Sequence, residues 1–280
     1  MTPAGLNTAD PTLTRVERLD DPRLAEYANL RDAELRARRG EAPDGIFMAE
    51  GAFVVGQLLD SPCRVRSVLI TERRLAAMSA ELARLPAGVP VYVVEQDVMN
   101  EVVGFNIHRG VLAAGYRPDP APPAQVVSNA RAVVVMEDLA NHDNVGGVFR
   151  NIGALVGRGG AALLSPGCCD PLYRKAIRVS MGHALRVPFA RLEEWPRPLE
   201  GLGLTLIALT PRGDSTPIEE FVMPSGCKPA FLVGAEGPGV SDSVLSLAAH
   251  RVRIPIGSGA DSLNVAVALG IALSRLVRPQ

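Results

Sequence analysis

The sequence predicts an α/β protein with two domains, and two observations carry that prediction. Short apolar runs typical of strands alternate with helical patterns over most of the 280 residues. A stretch with four prolines at residues 117–125 interrupts the alternation and excludes a helix or an inner strand there. We therefore predict a flexible tail at 1–20, a small α/β domain at 21–117, a linker at 118–125 and a second α/β domain at 126–280.

The first domain follows a polar segment without periodicity, residues 1–20, which is typical of a loose tail. Apolar positions on one face predict a helix from Pro22 to Arg39, and Gly40 follows as a stop. Further along, apolar runs predict strands, and the segments between them predict helices. The strands are expected at 46–49, 65–70, 89–94 and 109–115, and the helices at 51–60, 72–85 and 96–103.

The second domain is predicted to hold a parallel sheet. Its apolar runs are continuous rather than alternating, which indicates strands that are buried on both faces. The strands are expected at 132–136, 161–164, 205–209, 230–233 and 252–256.

The composition, 47% hydrophobic and 21% charged, is that of an ordinary globular protein. A net charge of −1 excludes a global attraction to nucleic acid but leaves room for local arginine patches. The four cysteines lack the spacing of metal ligands or of a disulfide framework. We therefore expect a cytoplasmic protein without a metal site, and the absence of a signal pattern or a long apolar run predicts no membrane association.

Three segments of the second domain join small residues to polar ones at predicted helix starts. The first, at 144–150, reads Asn-Val-Gly-Gly-Val-Phe-Arg. Asn141, Asp143 or Asn144 is expected to cap its helix. Arg150 lies off the apolar stripe, so its guanidinium is expected to face a cleft. Gly146 and Gly147 allow another backbone or a substrate to come close.

The second segment, at 231–241, places Glu236 in a turn with three glycines. It matches neither the dinucleotide-binding fingerprint nor a P-loop, so a phosphate cradle is disfavoured. The third segment, at 254–268, leads from a strand to a helix predicted at 263–273, with Asp261 or Ser262 as its cap. That helix is apolar nearly all round, so we expect it to be covered on most sides, with Asn264 as a buried polar group that needs partners.

In this order, the three segments resemble the SpoU/TrmH family of RNA ribose 2′-O-methyltransferases in the SPOUT superfamily. The resemblance is strongest over 131–276 and includes the motif Ser-Leu-Asn-Val-x-Val-Ala at 262–268. Many relatives have Ser where this chain has Ala266, a departure expected to matter little. The first domain resembles the RNA-binding accessory domain of the family at 47–51 and 108–111.

The resemblance implies a parallel α/β sheet whose C-terminal segment forms a deep trefoil knot. It also implies a homodimer that binds S-adenosylmethionine in the knot, mostly through backbone groups. The implied catalytic residues are Asn144, Arg150, Glu236, Ser262 and Asn264. The implied cofactor-binding residues are Thr210, Gly234, Ala235, Gly239, Ile254, Ile256 and Leu263.

Methyl transfer to a ribose hydroxyl requires an aligned donor and acceptor and a destination for one proton. In the family, Arg150 would activate the hydroxyl. Alternatively, Arg150 grips the adjacent phosphate as a bidentate clamp, and phosphate or water assists proton loss. The sequence leaves both roles open, and Glu236 would hold either Arg150 or Asn144 in place.

RNA contact is expected from arginines of the first domain, which cluster locally. Residues 1–120 carry a formal charge of −3, from 14 Arg and no Lys against 17 Asp and Glu. Such clusters suit contact with a few phosphates of a structured RNA, although solvated helix faces are the alternative. The expected RNA-binding residues are Arg64, Arg66, Arg73 and Arg74.

The expected function is therefore 2′-O-methylation of a ribose in structured RNA, with rRNA favoured because many rRNA-modifying members of the family carry an α/β front domain. The alternatives are a tRNA ribose methyltransferase and a catalytically inactive RNA-binding or ribosome-assembly protein of the same fold. The retained catalytic residues favour the enzyme. The lack of a phosphate-binding motif argues against a generic nucleotide-binding enzyme.

Overall fold

The computed structural model describes residues 13–28, 45–212, 214–259 and 262–277. The chain divides into two compact units: residues 1–119 with 172–185 form the first, and residues 120–171 with 186–280 form the second. The division after Asp119 falls inside the predicted linker. The prediction of one uninterrupted domain at 126–280 is wrong, because residues 172–185 pack with the first unit.

The first unit contains a five-stranded mixed sheet in the order β1-β4-β3-β5-β2. Strand β3 is parallel to β4, and β5 is antiparallel to both β3 and β2. The carboxyl ends of β3 and β2 therefore meet the amino end of β5 at one edge of the sheet. The strands are β1 (Leu13–Arg15), β2 (Ile46–Glu50), β3 (Val65–Thr71), β4 (Val91–Val94) and β5 (Val111–Tyr116), and the helices are α1 (Ala52–Leu59), α2 (Ser79–Leu82), α3 (Gln96–Val103) and α6 (Arg174–Val179).

Three predictions for the first unit need correction. Residues 13–15, predicted as part of a tail, form the edge strand β1, which pairs with β4 through backbone bonds and so needs no apolar pattern. The predicted helix at 22–39 is a 3₁₀ helix at Pro22–Tyr27, and its part from 29 onward lies outside the described residues. The predicted helix at 72–85 is broken into two 3₁₀ turns and the short α2, an arrangement that buries Met78 and Leu82.

The second unit contains a seven-stranded sheet in the order β10-β12-β9-β11-β6-β7-β8, and its strand pairs are parallel. Buried aliphatic residues of the inner strands form its core, as their continuous apolar runs predicted. The strands are β6 (Ala132–Met136), β7 (Gly160–Leu164), β8 (Phe189–Arg191), β9 (Thr205–Leu209), β10 (Thr216–Pro217), β11 (Pro229–Val233) and β12 (His250–Arg253), and the helices are α4 (Pro123–Ser128), α5 (His142–Asn151), α7 (Asp242–Leu245) and α8 (Val265–Leu276).

The element bounds of the second unit differ from the prediction by one residue at β7 and at β11, and by more at three other elements. Helix α4 begins inside the predicted linker, because proline is tolerated in the first turn of a helix. Strand β12 ends at Arg253 rather than 256, since Pro255 has no N–H for the ladder. Helix α8 begins at Val265 and continues to Leu276, later at both ends than the predicted 263–273.

The α/β fold with a mostly parallel sheet confirms the predicted fold class. The trefoil knot, which concerns how the chain threads through itself, stays a prediction. Among the described residues, no helix is both long and apolar enough to cross a membrane.

Candidate active site

The candidate site lies where three neighbouring parallel strands of the second unit end. Strands β12, β9 and β11 are adjacent in the sheet, so their carboxyl ends share one edge. Thr210, Gly234 and Ile254 each follow one of these strands directly. Ligands of parallel α/β sheets bind at such an edge, so the three residues stand where a cofactor is expected.

Helices α5 and α8 pack closely beside this edge because small residues line their contact. A Cβ atom built on Gly147 would lie 2.7 Å from the Cβ of Ala266, closer than real Cβ contacts. One turn further along, Asn151 donates a hydrogen bond from Nδ2 to the carbonyl oxygen of Ala266. The predicted role of Gly147, to admit a close backbone, is confirmed, and its neighbour is α8.

A chain of hydrogen bonds joins the three sequence segments. Asn144, which is buried on α5, donates from Nδ2 to Oε1 of Glu236 at 2.8 Å. Its Oδ1 accepts from Nδ2 of Asn264 at 2.8 Å. The carboxylate therefore fixes the amide orientation of Asn144, and Asn144 in turn fixes that of Asn264.

Asn264 also begins α8, and two predictions about this residue need correction. Its Oδ1 accepts hydrogen bonds from the backbone N–H groups of Ala266 and Val267, so Asn264 is the helix cap. The predicted caps, Asp261 and Ser262, precede the helix: Ser262 is exposed, and Asp261 lies outside the described residues. Asn264 is exposed rather than buried, because α8 begins only after it.

Arg150 is exposed and stands apart from this chain of hydrogen bonds. It follows Asn144 by six helical positions, which is about 9 Å along the axis and about a third of a turn around it. Within the described part of the chain, Arg150 makes no hydrogen bond or ion pair. Glu236 therefore holds Asn144 rather than Arg150, and the guanidinium group is open to a ligand.

The loop after β11 folds back on itself at its glycines. A Cβ atom on Gly234 would lie 2.1 Å from the carbonyl carbon of Gly239, so only glycine fits there. The N–H of Gly239 donates to the carbonyl oxygen of Ala235 at 2.9 Å, which closes the loop. Glu236 projects from this closed turn, with an exposed side chain.

The loop after β12 presents apolar and backbone groups at the same edge. Ile254 and Ile256 are half-buried, and Leu263 is 37% exposed. Cβ atoms built on Gly257 and Gly259 would meet no atom within 4 Å, so the backbone of this loop is open on those sides. A ligand with an apolar ring and several hydrogen-bonding groups suits these surroundings.

Glu137 is a functional candidate that the sequence interpretation missed. It follows β6 and is 7% exposed. Its carboxylate accepts hydrogen bonds from Trp195 Nε1 at 3.0 Å, from the N–H of Ser241 at 2.8 Å and from Ser241 Oγ at 2.7 Å. Since Ser241 ends the glycine loop and caps α7, Glu137 anchors the far end of the loop that carries Glu236. A single acidic residue after a strand gives no sequence pattern that would reveal this role.

The four predicted RNA-binding arginines do not form one group. Arg64 and Arg66 lie at the amino end of β3, and Arg73 and Arg74 follow its carboxyl end. At a strand rise of about 3.3 Å per residue, the two pairs are roughly 20 Å apart. Among the described residues, no group of three or more His, Cys, Asp or Glu side chains is placed to hold a metal ion.

Comparison with known proteins shows the family of this chain. The SpoU rRNA Methylase family model matches residues 131–274. A protein of Mycobacterium tuberculosis named as an uncharacterized tRNA/rRNA methyltransferase is 43% identical over 265 residues, which span 92% of this chain and 90% of the relative. The chain belongs to the SpoU family of RNA methyltransferases, as the sequence resemblance predicted.

Two further comparisons extend over most of the chain. The 23S rRNA (guanosine(2553)-2′-O)-methyltransferase of Bacillus subtilis is 24% identical over 87% of this chain and 93% of its own length. The crystal structure of an AdoMet-bound rRNA methyltransferase from Sinorhizobium meliloti has a TM-score of 0.76 at 23% identity and covers 94% of this chain and 97% of that one. That similarity shows that the two proteins share a fold.

Proposed function

We propose that this protein transfers a methyl group from S-adenosylmethionine to a ribose 2′-hydroxyl of a structured RNA, and that this RNA is an rRNA. The observation that carries the proposal is the hydrogen-bonded chain Glu236–Asn144–Asn264. It joins three segments that are distant in sequence at the carboxyl edge of a parallel sheet. That arrangement also argues against an inactive relative, because the residues that a purely structural protein would not need are present and mutually bonded.

S-adenosylmethionine fits the groups at this edge. The adenine and methionine parts of the cofactor require apolar contact and hydrogen bonds rather than a phosphate cradle. Ile254, Ile256 and Leu263 offer apolar contact, and the loop of Gly234, Ala235 and Gly239 offers backbone groups. Thr210 stands beside them, but it is 7% exposed and its N–H already donates to the carbonyl oxygen of Val252. When bound, the cofactor supplies an electrophilic methyl group on a sulfonium.

Arg150 is assigned the role of a phosphate clamp. Arginine retains its proton in proteins, so it is a poor general base. Its planar fork matches two phosphate oxygens, and its exposure leaves it open to RNA. In this role Arg150 orients the ribose, and the hydroxyl proton leaves to phosphate or water. Asn144 and Asn264 present amide groups that are already oriented by Glu236.

The preference for rRNA over tRNA has separate support. The B. subtilis relative is named for 2′-O-methylation of 23S rRNA, and the match covers 87% of this chain, so it extends beyond the catalytic half. The M. tuberculosis relative is named for both RNA classes. tRNA is therefore the alternative substrate, and a substrate assay with both RNAs decides between them.

We also propose that the active form is a homodimer. Leu263, Val267 and Ile271 lie four residues apart on or just before α8 and are 37%, 51% and 38% exposed. These side chains form an uncovered apolar stripe beside the candidate site, and a second copy would bury it. Sedimentation at micromolar concentration should give twice the chain mass of 29.6 kDa, and a fully active monomer would contradict the proposal.

Substitution of Arg150 tests the proposed chemistry. Arg150→Ala should abolish methyl transfer to rRNA, whereas calorimetry should show S-adenosylmethionine binding within about twofold of the wild-type affinity. Arg150→Lys should also be poor, because a point charge does not replace a planar fork. Arg158→Ala is a matched control, since it removes another exposed arginine of the second unit.

The clamp and base assignments give different pH dependences. If Arg150 only clamps phosphate, the residual rate of Arg150→Lys should vary with pH in the same way as the wild-type rate. A shift of the pH profile by several units in the lysine variant would show that residue 150 exchanges the proton. Loss of cofactor binding in Arg150→Ala would show that the side chain belongs to the cofactor site.

A further inference from the structure

Basic side chains from three separate segments converge at one edge of the sheet in the first unit. Arg73 and Arg74 follow the carboxyl end of β3, and His108 and Arg109 precede the amino end of β5. The antiparallel pairing of these strands makes the two segments neighbours, as the bond from the N–H of Thr71 to the carbonyl oxygen of Gly110 shows. We define the basic edge as these four residues together with Arg178.

Two glycines in unusual conformations make room for the arginine stems of the basic edge. Gly110 has φ +64°, and a Cβ atom there would lie 2.9 Å from Cγ of Arg74. Gly51, directly after β2, has φ +94°, and a Cβ atom there would lie 2.6 Å from Cδ of Arg109. The stems therefore lie across the strand ends, and both arginine residues are exposed.

The third segment of the basic edge is α6, from the part of the chain that returns to the first unit. Arg174 donates to Glu50 at 2.8 Å and lies 4.7 Å over the ring of Phe105. The Glu50 side chain, at the carboxyl end of β2, is 6% exposed and that of Arg174 is 13% exposed, so this largely buried pair holds α6 at the same edge. Arg178 lies 3.9 Å from the other Glu50 oxygen with 40% of its side chain exposed.

The basic edge carries an excess of positive charge, because the carboxylates near it are already paired or lie to one side. Glu50 is held by Arg174, and Glu72 forms an ion pair with Arg15. The acidic residues Glu95 and Asp97 follow β4, on the side of β3 away from β5. The excess therefore extends over the ends of β3, β5 and β2.

The other two predicted arginines lie at the opposite edge and have partners. Arg64 and Arg66 lie 4.8 and 5.5 Å from the centre of the Tyr116 ring. Arg66 also forms an ion pair with Glu26 at 2.5 Å. These cations are held by the protein, whereas Arg74 and Arg109 have no hydrogen-bond or ion-pair partner among the described residues.

We propose that the basic edge is the surface with which the first unit grips the phosphate backbone of the RNA, and that Arg64 and Arg66 are not part of it. The proposal rests on the proposed function and assigns its substrate contact to particular residues. Exposed arginines at the ends of β3 and β5, with Arg178 of α6 beside the end of β2, match phosphates along a folded RNA backbone. Binding to such a backbone is electrostatic and depends on salt. The charge and the open guanidinium groups of Arg74 and Arg109 favour RNA over a protein partner, whereas Arg73 also donates a hydrogen bond to Oε1 of Gln96.

The test compares three full-length variants in binding to 23S rRNA transcribed in vitro, over a range of KCl concentrations. The edge variant is Arg73→Gln with Arg74→Gln and Arg109→Gln. The control variant is Arg64→Gln with Arg66→Gln, which removes arginines of the same unit. The third variant, Arg178→Gln, tests whether α6 contributes. Thermal unfolding checks that each variant is folded, and calorimetry with S-adenosylmethionine checks the second unit.

The edge variant should bind the rRNA at least roughly tenfold more weakly at low salt, and the slope of log K against log salt should fall by about 2 to 3. Arg178→Gln should lower the slope by about 1, and the control variant should bind within twofold of wild type. Unchanged binding by a folded edge variant, or an equal loss in the control variant, would overturn the proposal. So would a failure of the wild-type protein to bind the rRNA.

The binding data are independent of the proposed chemistry. A wild-type protein that binds rRNA and cofactor but transfers no methyl group contradicts the proposed function, while the salt slopes still decide the basic edge. If the wild-type protein bound a protein partner tightly and had no affinity for rRNA, the basic edge would be a protein contact instead.

Discussion

Removal of the Glu137 carboxylate is expected to loosen the glycine loop and to destabilise the second unit. Glu137→Ala deletes the acceptor of three hydrogen bonds, from Trp195 Nε1 and from the N–H and hydroxyl of Ser241. Hydrogen bonds to a charged group contribute about 1.5–3 kcal/mol each, but Ser241 is exposed and water can replace part of the loss. We therefore expect the free energy of unfolding to fall by about 2–4 kcal/mol.

Glu137→Gln separates the effect of acceptor number from that of side-chain volume. The amide oxygen can accept from Trp195 and from the Ser241 hydroxyl, but the amide nitrogen then faces the N–H of Ser241, and two donors repel. The free energy of unfolding of this variant should be about 1–2 kcal/mol lower than that of the wild type. The exposed Glu193 provides the control, because Glu193→Gln should change stability by less than about 0.5 kcal/mol.

Urea unfolding followed by Trp195 fluorescence measures these differences, since Trp195 is the only tryptophan and lies in the affected unit. The midpoint of thermal unfolding should fall by roughly 4–16 °C in Glu137→Ala. Affinity for S-adenosylmethionine should fall as well, because Ser241 ends the loop that carries Glu236. Wild-type unfolding midpoints in both Glu137 variants would refute the reasoning that the carboxylate anchors the loop.

Two further substitutions and one labelling experiment test the structure of the second unit. Gly147→Ala should lower the free energy of unfolding in urea by about 1–3 kcal/mol, because its Cβ would lie 2.7 Å from that of Ala266. Gly201→Ala should change it little, because a Cβ atom there would meet no atom within 4 Å. Gly234→Ala should lower cofactor affinity at least roughly tenfold in calorimetry, because its Cβ would meet the Gly239 backbone at 2.1 Å; unchanged affinity would separate this loop from the cofactor site. Burial raises the pKa of the Cys168 thiol, so less of it is the reactive thiolate at neutral pH. Peptide mapping after labelling with a disulfide reagent should find Cys168 modified only in urea, and rapid labelling of the folded protein would contradict its burial.

The strands of the second unit were predictable because each is a continuous apolar run. Residues 132–136 and 205–209 were predicted with the observed bounds, and the amphipathic helix at 96–103 likewise. The edge strand β1 was not, since its stability comes from backbone pairing with β4. The return of residues 172–185 to the first unit is not predictable in the same way, because its contacts join residues that are far apart in sequence, such as Arg174 and Glu50, 124 positions apart.

For the candidate site, the family resemblance supplied the residues, and the structure shows which of them are in contact. Asn144, Glu236 and Asn264 were predicted as members of one set, but nothing in their spacing indicates that Asn144 stands between the other two. The cap of α8 is Asn264 rather than Asp261 or Ser262, and Asn264 also bonds to Asn144 of α5, a tertiary contact that the sequence pattern does not reveal. The sequence predicts Arg64, Arg66, Arg73 and Arg74 together as RNA contacts, and only the sheet topology separates them into two pairs.

The central claim is methyl transfer from S-adenosylmethionine to a ribose hydroxyl of RNA. The most direct measurement incubates the purified protein with deuterated-methyl S-adenosylmethionine and unmodified rRNA or tRNA transcripts, digests the RNA to nucleosides and analyses them by mass spectrometry. Digested rRNA should yield a labelled 2′-O-methylnucleoside that is absent with Arg150→Ala. Label on a base instead of a ribose, or no label although the protein binds both cofactor and RNA, would contradict the central claim.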